Sequence, residues 1–159
     1  LFSFYTRGMS FIDMAYLKKS DLKNGILTYR RKKTGQRLWI GWEKDMQDIL
    51  DKYPVAQSSP YLLPIIREAG AKERTQYNSA LHLINRKLKS IGELLDISIP
   101  LTMYVARHSW ASVAKSKNIP ISVISEGMGH DSENTTLIYL NSLDTTIIDK
   151  ANKLIINSI

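Results

Sequence analysis

The chain has 159 residues, 43% of them hydrophobic, enough for one domain with a buried core. It offers no run of about 18 apolar residues that could span a membrane, and Leu1-Phe2-Ser3-Phe4-Tyr5 lacks the basic leader and cleavage site of a secretory signal. Cysteine is absent, which removes disulfides, zinc–thiolate sites and thiol catalysis, while a net charge of +7 favours a polyanionic partner such as nucleic acid.

Residues 1–18 read as one helix, with Phe4, Phe11, Met14 and Leu17 at near-helical spacing. Asn24-Gly25 signals a turn. A strand over Ile26-Leu27-Thr28-Tyr29-Arg30 is expected next, then a hairpin turn at Lys33-Thr34-Gly35-Gln36 and a returning strand at Leu38-Trp39-Ile40. Residues 43–53 read as helix with Met46, Ile49 and Leu50 on one face. Pro54, Pro60 and Pro64 punctuate a loop reaching about residue 72. Tyr77, Leu81, Ile84, Leu88 and Ile91 keep a 4-3-4-3 spacing, which predicts an amphipathic helix over roughly residues 73–95. A helix carrying Arg107, Trp110 and Val113 follows Pro100 and Thr102. Pro120 suits the start of a short helix that the Gly127–Gly129 stretch ends. Tyr139 falls on or just after another short helix, and Asp144 caps a last one over residues 144–159. The expected fold is mainly α with a small antiparallel β-sheet near the N-terminus.

Several side chains invite chemistry. Tyr139 is one of eight tyrosines, and a tyrosine on an amphipathic helix is ordinarily a core or rim aromatic. Its place nine residues after Gly129-His130 sets it apart. Arg107 lies among Val105, Ala106, Trp110 and Ala111, too apolar a segment for a freely solvated cation. A half-buried guanidinium needs an anion, and its planar fork matches two phosphate oxygens. His130 follows a glycine that can turn the backbone sharply. His108 points elsewhere on its helix and reads as structural, and His82 has no motif around it. Arg30-Arg31-Lys32-Lys33 beside Gly35 is ordinarily a solvated turn, although a lysine among cations has a lowered pKa and can act as an acid.

The ordered set Tyr104-Val105-Ala106-Arg107-His108-Ser109-Trp110, Gly127-Met128-Gly129-His130 and Thr136-Leu137-Ile138-Tyr139 resembles the C-terminal signature of the tyrosine recombinases, the phage-integrase family. Within the family, the chain resembles integrases of mobile elements from Bacteroides-type bacteria. The resemblance implies that residues 1–159 are the C-terminal catalytic domain, with the N-terminal core-binding domain of the family outside this sequence. It further implies a 3′-phosphotyrosyl intermediate formed by Tyr139, phosphate contacts from Arg107 and His130, and Lys33 as the acid that protonates the 5′-oxygen. No metal or nucleotide cofactor is implied. The implied partner is double-stranded DNA, bound by a homotetramer of the whole protein, with this chain alone monomeric.

Two positions depart from the family pattern. Tyr104 stands where the family has His or Lys, and a phenol supplies no charge near neutrality. Alignment on Asp13 puts Ser10 where the first arginine belongs, while Arg7 lies three residues earlier, on the same face of the expected helix. Arg7 is therefore the expected substitute, buttressed by Asp13. Two rival readings remain: relaxation of DNA in the manner of a type IB topoisomerase, and a DNA-binding module without catalysis.

Overall fold

The computed structural model describes residues 1–140 together with 156 and 157. The chain opens with two short helices, α1 (Phe2–Tyr5) and α2 (Phe11–Tyr16), in place of the single helix expected over residues 1–18. The break lies at Arg7 and Gly8, whose backbones are left-handed (φ 57° and 73°). Right-handed helix cannot run through two such residues. The cause sits far along the chain: a Cβ at position 8 would stand 2.8 Å from Arg107 Cα, so only a glycine admits this approach. Ser10 then restarts the helix, its Oγ accepting the Asp13 N–H at 3.3 Å as an N-cap.

Strands β1 (Leu22–Lys23), β2 (Ile26–Arg30) and β3 (Arg37–Gly41) form an antiparallel sheet in that order. The expected hairpin is present, and β1 is an added short strand folded back across Asn24-Gly25. Leu27 pairs with Ile40 and Tyr29 with Leu38, all four buried, whereas Arg30, Arg37 and Trp39 face outward. Met9, Met14 and Leu17 pack on the inner face together with Met46 of α3 (Lys44–Lys52). Burying each such aliphatic side chain stabilises the fold by about 1.5–3 kcal/mol.

Helix α4 (Glu73–Leu94) buries Tyr77 against Phe11, Ala15, Tyr61 and Ile66, with Leu81 and Ile84 partly buried beside them. Its predicted stripe does not stay inward to the end, for Ile91 is 46% exposed among the described residues. Helices α5 (Val105–Ser116), α6 (Ile121–Met128) and α7 (Glu133–Leu140) share a third core of Ala111, Ile124, Met128 and Leu140. Lys115 Nζ donates to Leu140 O at 2.7 Å and ties the end of α7 to α5. Tyr139 thus lies on a helix, as expected. The helix expected over 144–159 falls outside the described residues apart from 156 and 157. Among the described residues no helix is long and apolar enough to cross a membrane.

Candidate active site

Arg107 is the hub. It projects from the first turn of α5 into the seam between the α1–α2 turn and the end of α6, and only 4% of it is exposed. Its Nη1 donates to Gly8 O at 2.8 Å, and its Nη2 donates to Met128 O at 2.7 Å and to His130 Nε2 at 2.8 Å. Burial, followed by the charge of Arg31, pushes its pKa down to about 10, so it remains a cation at neutral pH. The break at Gly8 is therefore a site feature as much as a fold feature. It brings a backbone carbonyl onto the guanidinium.

His130 is delivered by Gly129, which ends α6 in the left-handed region (φ 64°). A Cβ at position 129 would stand 2.8 Å from Arg31 Cδ and 2.9 Å from Leu38 Cδ1, so this turn presses directly on the hairpin. A guanidinium can only donate, so His130 Nε2 accepts and Nδ1 carries the ring proton. Nδ1–H then donates to Thr136 Oγ1 at 2.8 Å. Burial, then Arg107 and Arg31, lowers the imidazole pKa to about 4, leaving His130 neutral at pH 7.

The hairpin supplies the remaining cations. Arg31 is 6% exposed and its Nη1 donates to Gly129 O. Its own N–H and C=O close the turn with Gln36 O and Gly35 N, each at 2.8 Å. Asp13 anchors the next residue, accepting Lys32 N–H at 2.8 Å on one carboxylate oxygen and the Ser10 hydroxyl at 2.5 Å on the other. Asp13 therefore holds the hairpin and the α2 cap, rather than buttressing Arg7. Lys32 and Lys33 part company at the tip. Lys32 Nζ lies 4.7 Å from the centre of the Tyr16 ring, whereas exposed Lys33 adds to the positive potential on His130.

Arg7 is half-buried, its Cδ 3.7 Å from where a Cβ would stand on Gly127 of α6, and its charge reaches the buried phenol of Tyr29. Tyr104 precedes α5, 52% exposed, with its ring edge-on to His108 at 4.8 Å. Tyr139 lies on α7 nine residues past His130. The structure thus gathers Arg107, His130 and the Lys33 hairpin around one point, with Arg7 and Tyr104 at its margins.

Arg31 was not singled out by its sequence context, which reads as a solvated run of charge. A usable signal was present: period-2 alternation from Leu27 through Tyr29 puts residue 31 on the inner face. Around it, the Arg31 Nε, Thr34 Oγ1 and Gln36 Oε1 atoms are buried without hydrogen-bond partners among the described residues. The ion pairs among the described residues are Lys44–Asp48 and Lys89–Glu93, both on exposed helix faces. Two buried guanidinium groups thus lie beside the Gly129–His130 turn, with no carboxylate among the described residues paired to either. Buried cations are ordinarily paired, so this geometry suits an incoming anion with several acceptor oxygens.

No family model matches the chain. A probable integrase/recombinase protein of Methanocaldococcus jannaschii is 29% identical over 128 residues, covering 79% of this chain and 38% of that protein. The tyrosine recombinase XerA of Saccharolobus solfataricus is 24% identical over 123 residues, 77% of this chain and 37% of its own length. Among solved structures, a XerA recombinase superposes with a TM-score of 0.66 at 20% identity, over 95% of this chain and 55% of that one. A lambda integrase, solved as a tetramer bound to a Holliday junction, gives 0.62 at 20% identity, over 87% of this chain and 40% of that one. The chain has the catalytic-domain fold of the tyrosine recombinases, and its sequence is similar to members of that family. It spans less than two fifths of the length of these two sequence relatives.

Proposed function

We propose that this chain is the catalytic part of a site-specific DNA recombinase that integrates or excises a mobile element. The observation that carries the reading is the pair of buried arginines, Arg107 and Arg31, neither paired with a carboxylate among the described residues, set beside the neutral His130. A scissile phosphodiester offers the anionic oxygens that two guanidinium groups can hold.

In this reading the Tyr139 phenol releases its proton to water, its oxygen attacks phosphorus, the bond to the 5′-oxygen breaks, and the protein is left joined to the 3′ phosphate. Arg107 and Arg31 hold the non-bridging oxygens as charge builds on them, with Arg7 adding positive potential from the margin. His130 completes the phosphate contacts. Lys33 gives its proton to the departing 5′-oxygen. A 5′-hydroxyl from a second site then reverses these steps, so the phosphotyrosyl link conserves the bond energy. The substrate is double-stranded DNA, the working assembly a homotetramer of the whole protein, and the setting the nucleoid of a bacterial cytoplasm.

A nicked duplex carrying the target site tests the reading, because loss of the short 5′ fragment traps the covalent intermediate. A protein–DNA adduct that survives detergent is expected. Absence of an adduct, with affinity for the site retained, would leave only a binding module. Relaxation of supercoils without exchange between paired sites would identify the topoisomerase alternative.

A further inference from the structure

Thr136 has no part in the chemistry described so far, yet it is wholly buried, 0% exposed, with its hydroxyl 2.8 Å from His130 Nδ1. It stands on α7 three residues before Tyr139, and α7 is held to the rest of the domain by Leu140 in the third core and by Lys115. We propose that Thr136 is the positioning residue for His130, making the docking of the Tyr139 helix the condition under which the histidine is correctly set. The inference rests on the phosphoryl-transfer reading of the site.

Donor and acceptor chemistry makes the case. In the structure Arg107 Nη2 occupies His130 Nε2 as a donor, which obliges Nδ1 to carry the proton and to find an acceptor. Thr136 Oγ1 is that acceptor. For His130 to face a phosphate oxygen, Nε2 must instead carry a proton, and Nδ1 must then be either protonated or bare. A hydroxyl rotates and serves both states: it accepts from Nδ1–H and donates to bare Nδ1. A carboxylate at this position could only accept, and an aliphatic side chain could do neither. Arg107, Arg31 and Lys33 bring positive charge to the ring and Asp131 brings negative charge, but the hydroxyl within hydrogen-bond distance of Nδ1 is that of Thr136, on α7. Gly129 fixes the backbone of residue 130, leaving the ring's rotation to be set by Thr136 and Arg107. Thr136 holds the imidazole from one end and Arg107 from the other.

Thr136→Val keeps shape and removes the hydroxyl, while Thr136→Ser keeps the hydroxyl and removes a methyl. Two measurements follow: the exchange-protected His130 ring N–H in the NMR spectrum without DNA, and single-turnover cleavage of the nicked duplex alongside DNA affinity. The wild-type chain is expected to show the protected Nδ1–H signal, the serine variant to retain it and the valine variant to lose it. Valine should cut about tenfold more slowly at unchanged affinity, with serine within about threefold of wild type. The proposal is overturned if valine keeps the protected signal or cleaves at the wild-type rate. It is equally overturned if serine is as impaired as valine, since the methyl and not the hydroxyl would then matter. Should the wild-type protein itself form no adduct, the recombinase reading is what fails, and the ring N–H measurement alone decides the role of Thr136.

Discussion

Replacing Arg31 with methionine should separate catalysis from stability. Methionine fills much of the arginine's volume without its charge. In the DNA-free protein it removes the hydrogen bond to Gly129 O, a loss of about 1.5–3 kcal/mol for a charged donor. It also removes a buried cation that depresses the Arg107 pKa and has no carboxylate paired to it among the described residues, which returns free energy of similar size. Folding stability should therefore change by no more than about 1–2 kcal/mol, in either direction. The transition state has no such offset. Losing one charge-assisted donor to the phosphate costs about 10²–10³ in rate. The assay pairs single-turnover cleavage of a nicked duplex at saturating protein with urea denaturation of the same preparations. Arg7→Ala, at the margin of the site, should cost less than Arg31→Met. Cleavage within about threefold of wild type would refute the role given to Arg31, as would a rate loss fully matched by unfolding.

Lys33→Ala should slow cleavage far more than binding, and a substrate whose 5′-oxygen is replaced by sulfur should recover most of the loss, because a thiolate leaves without an acid. Lys32→Ala should be mild, since that ammonium is spent on the Tyr16 ring; equal losses from the two variants would contradict this division of labour. His130, with its pKa lowered to about 4, declines a proton that the unfolded chain accepts near 6.5. Its contribution to stability is thus complete above about pH 6.5 and is lost as pH falls toward 4, by up to about 3 kcal/mol. His130→Gln should flatten the urea midpoint between pH 7 and 5 relative to wild type. An unchanged slope would mean the ring titrates normally.

Local signals in the sequence were faithful wherever local physics decides. The hairpin was legible because alternating Leu27 and Tyr29 meet a Lys-Thr-Gly turn, and α4 because its apolar stripe persists over several turns. Gly129 and His130 were legible because a glycine ends α6 in the left-handed conformation that its sequence position suggested. The break between α1 and α2 was not legible. Arg7 and Gly8 leave the helix because Arg107, about a hundred residues on, packs against the Gly8 backbone, and no local periodicity reports such a contact. Arg31 was hidden for a different reason: four adjacent cations suggest solvent, although the strand's pleat turns one of them inward. Asp13 was expected to serve Arg7, but its oxygens are committed to Ser10 and to the hairpin backbone. Ile91 continues the apolar stripe of α4 past the packing that covers its first half.

The central claim is that the residue nine places after His130 becomes covalently joined to DNA. The most direct test is to trap the adduct on a nicked duplex, digest it, and map the modified peptide by mass spectrometry, with Tyr139→Phe run in parallel. A 3′-phosphotyrosyl link on Tyr139, absent from the phenylalanine variant while its DNA affinity stays within about twofold, is the expected result. An adduct that persists in Tyr139→Phe, or one mapped to another tyrosine, would contradict the account.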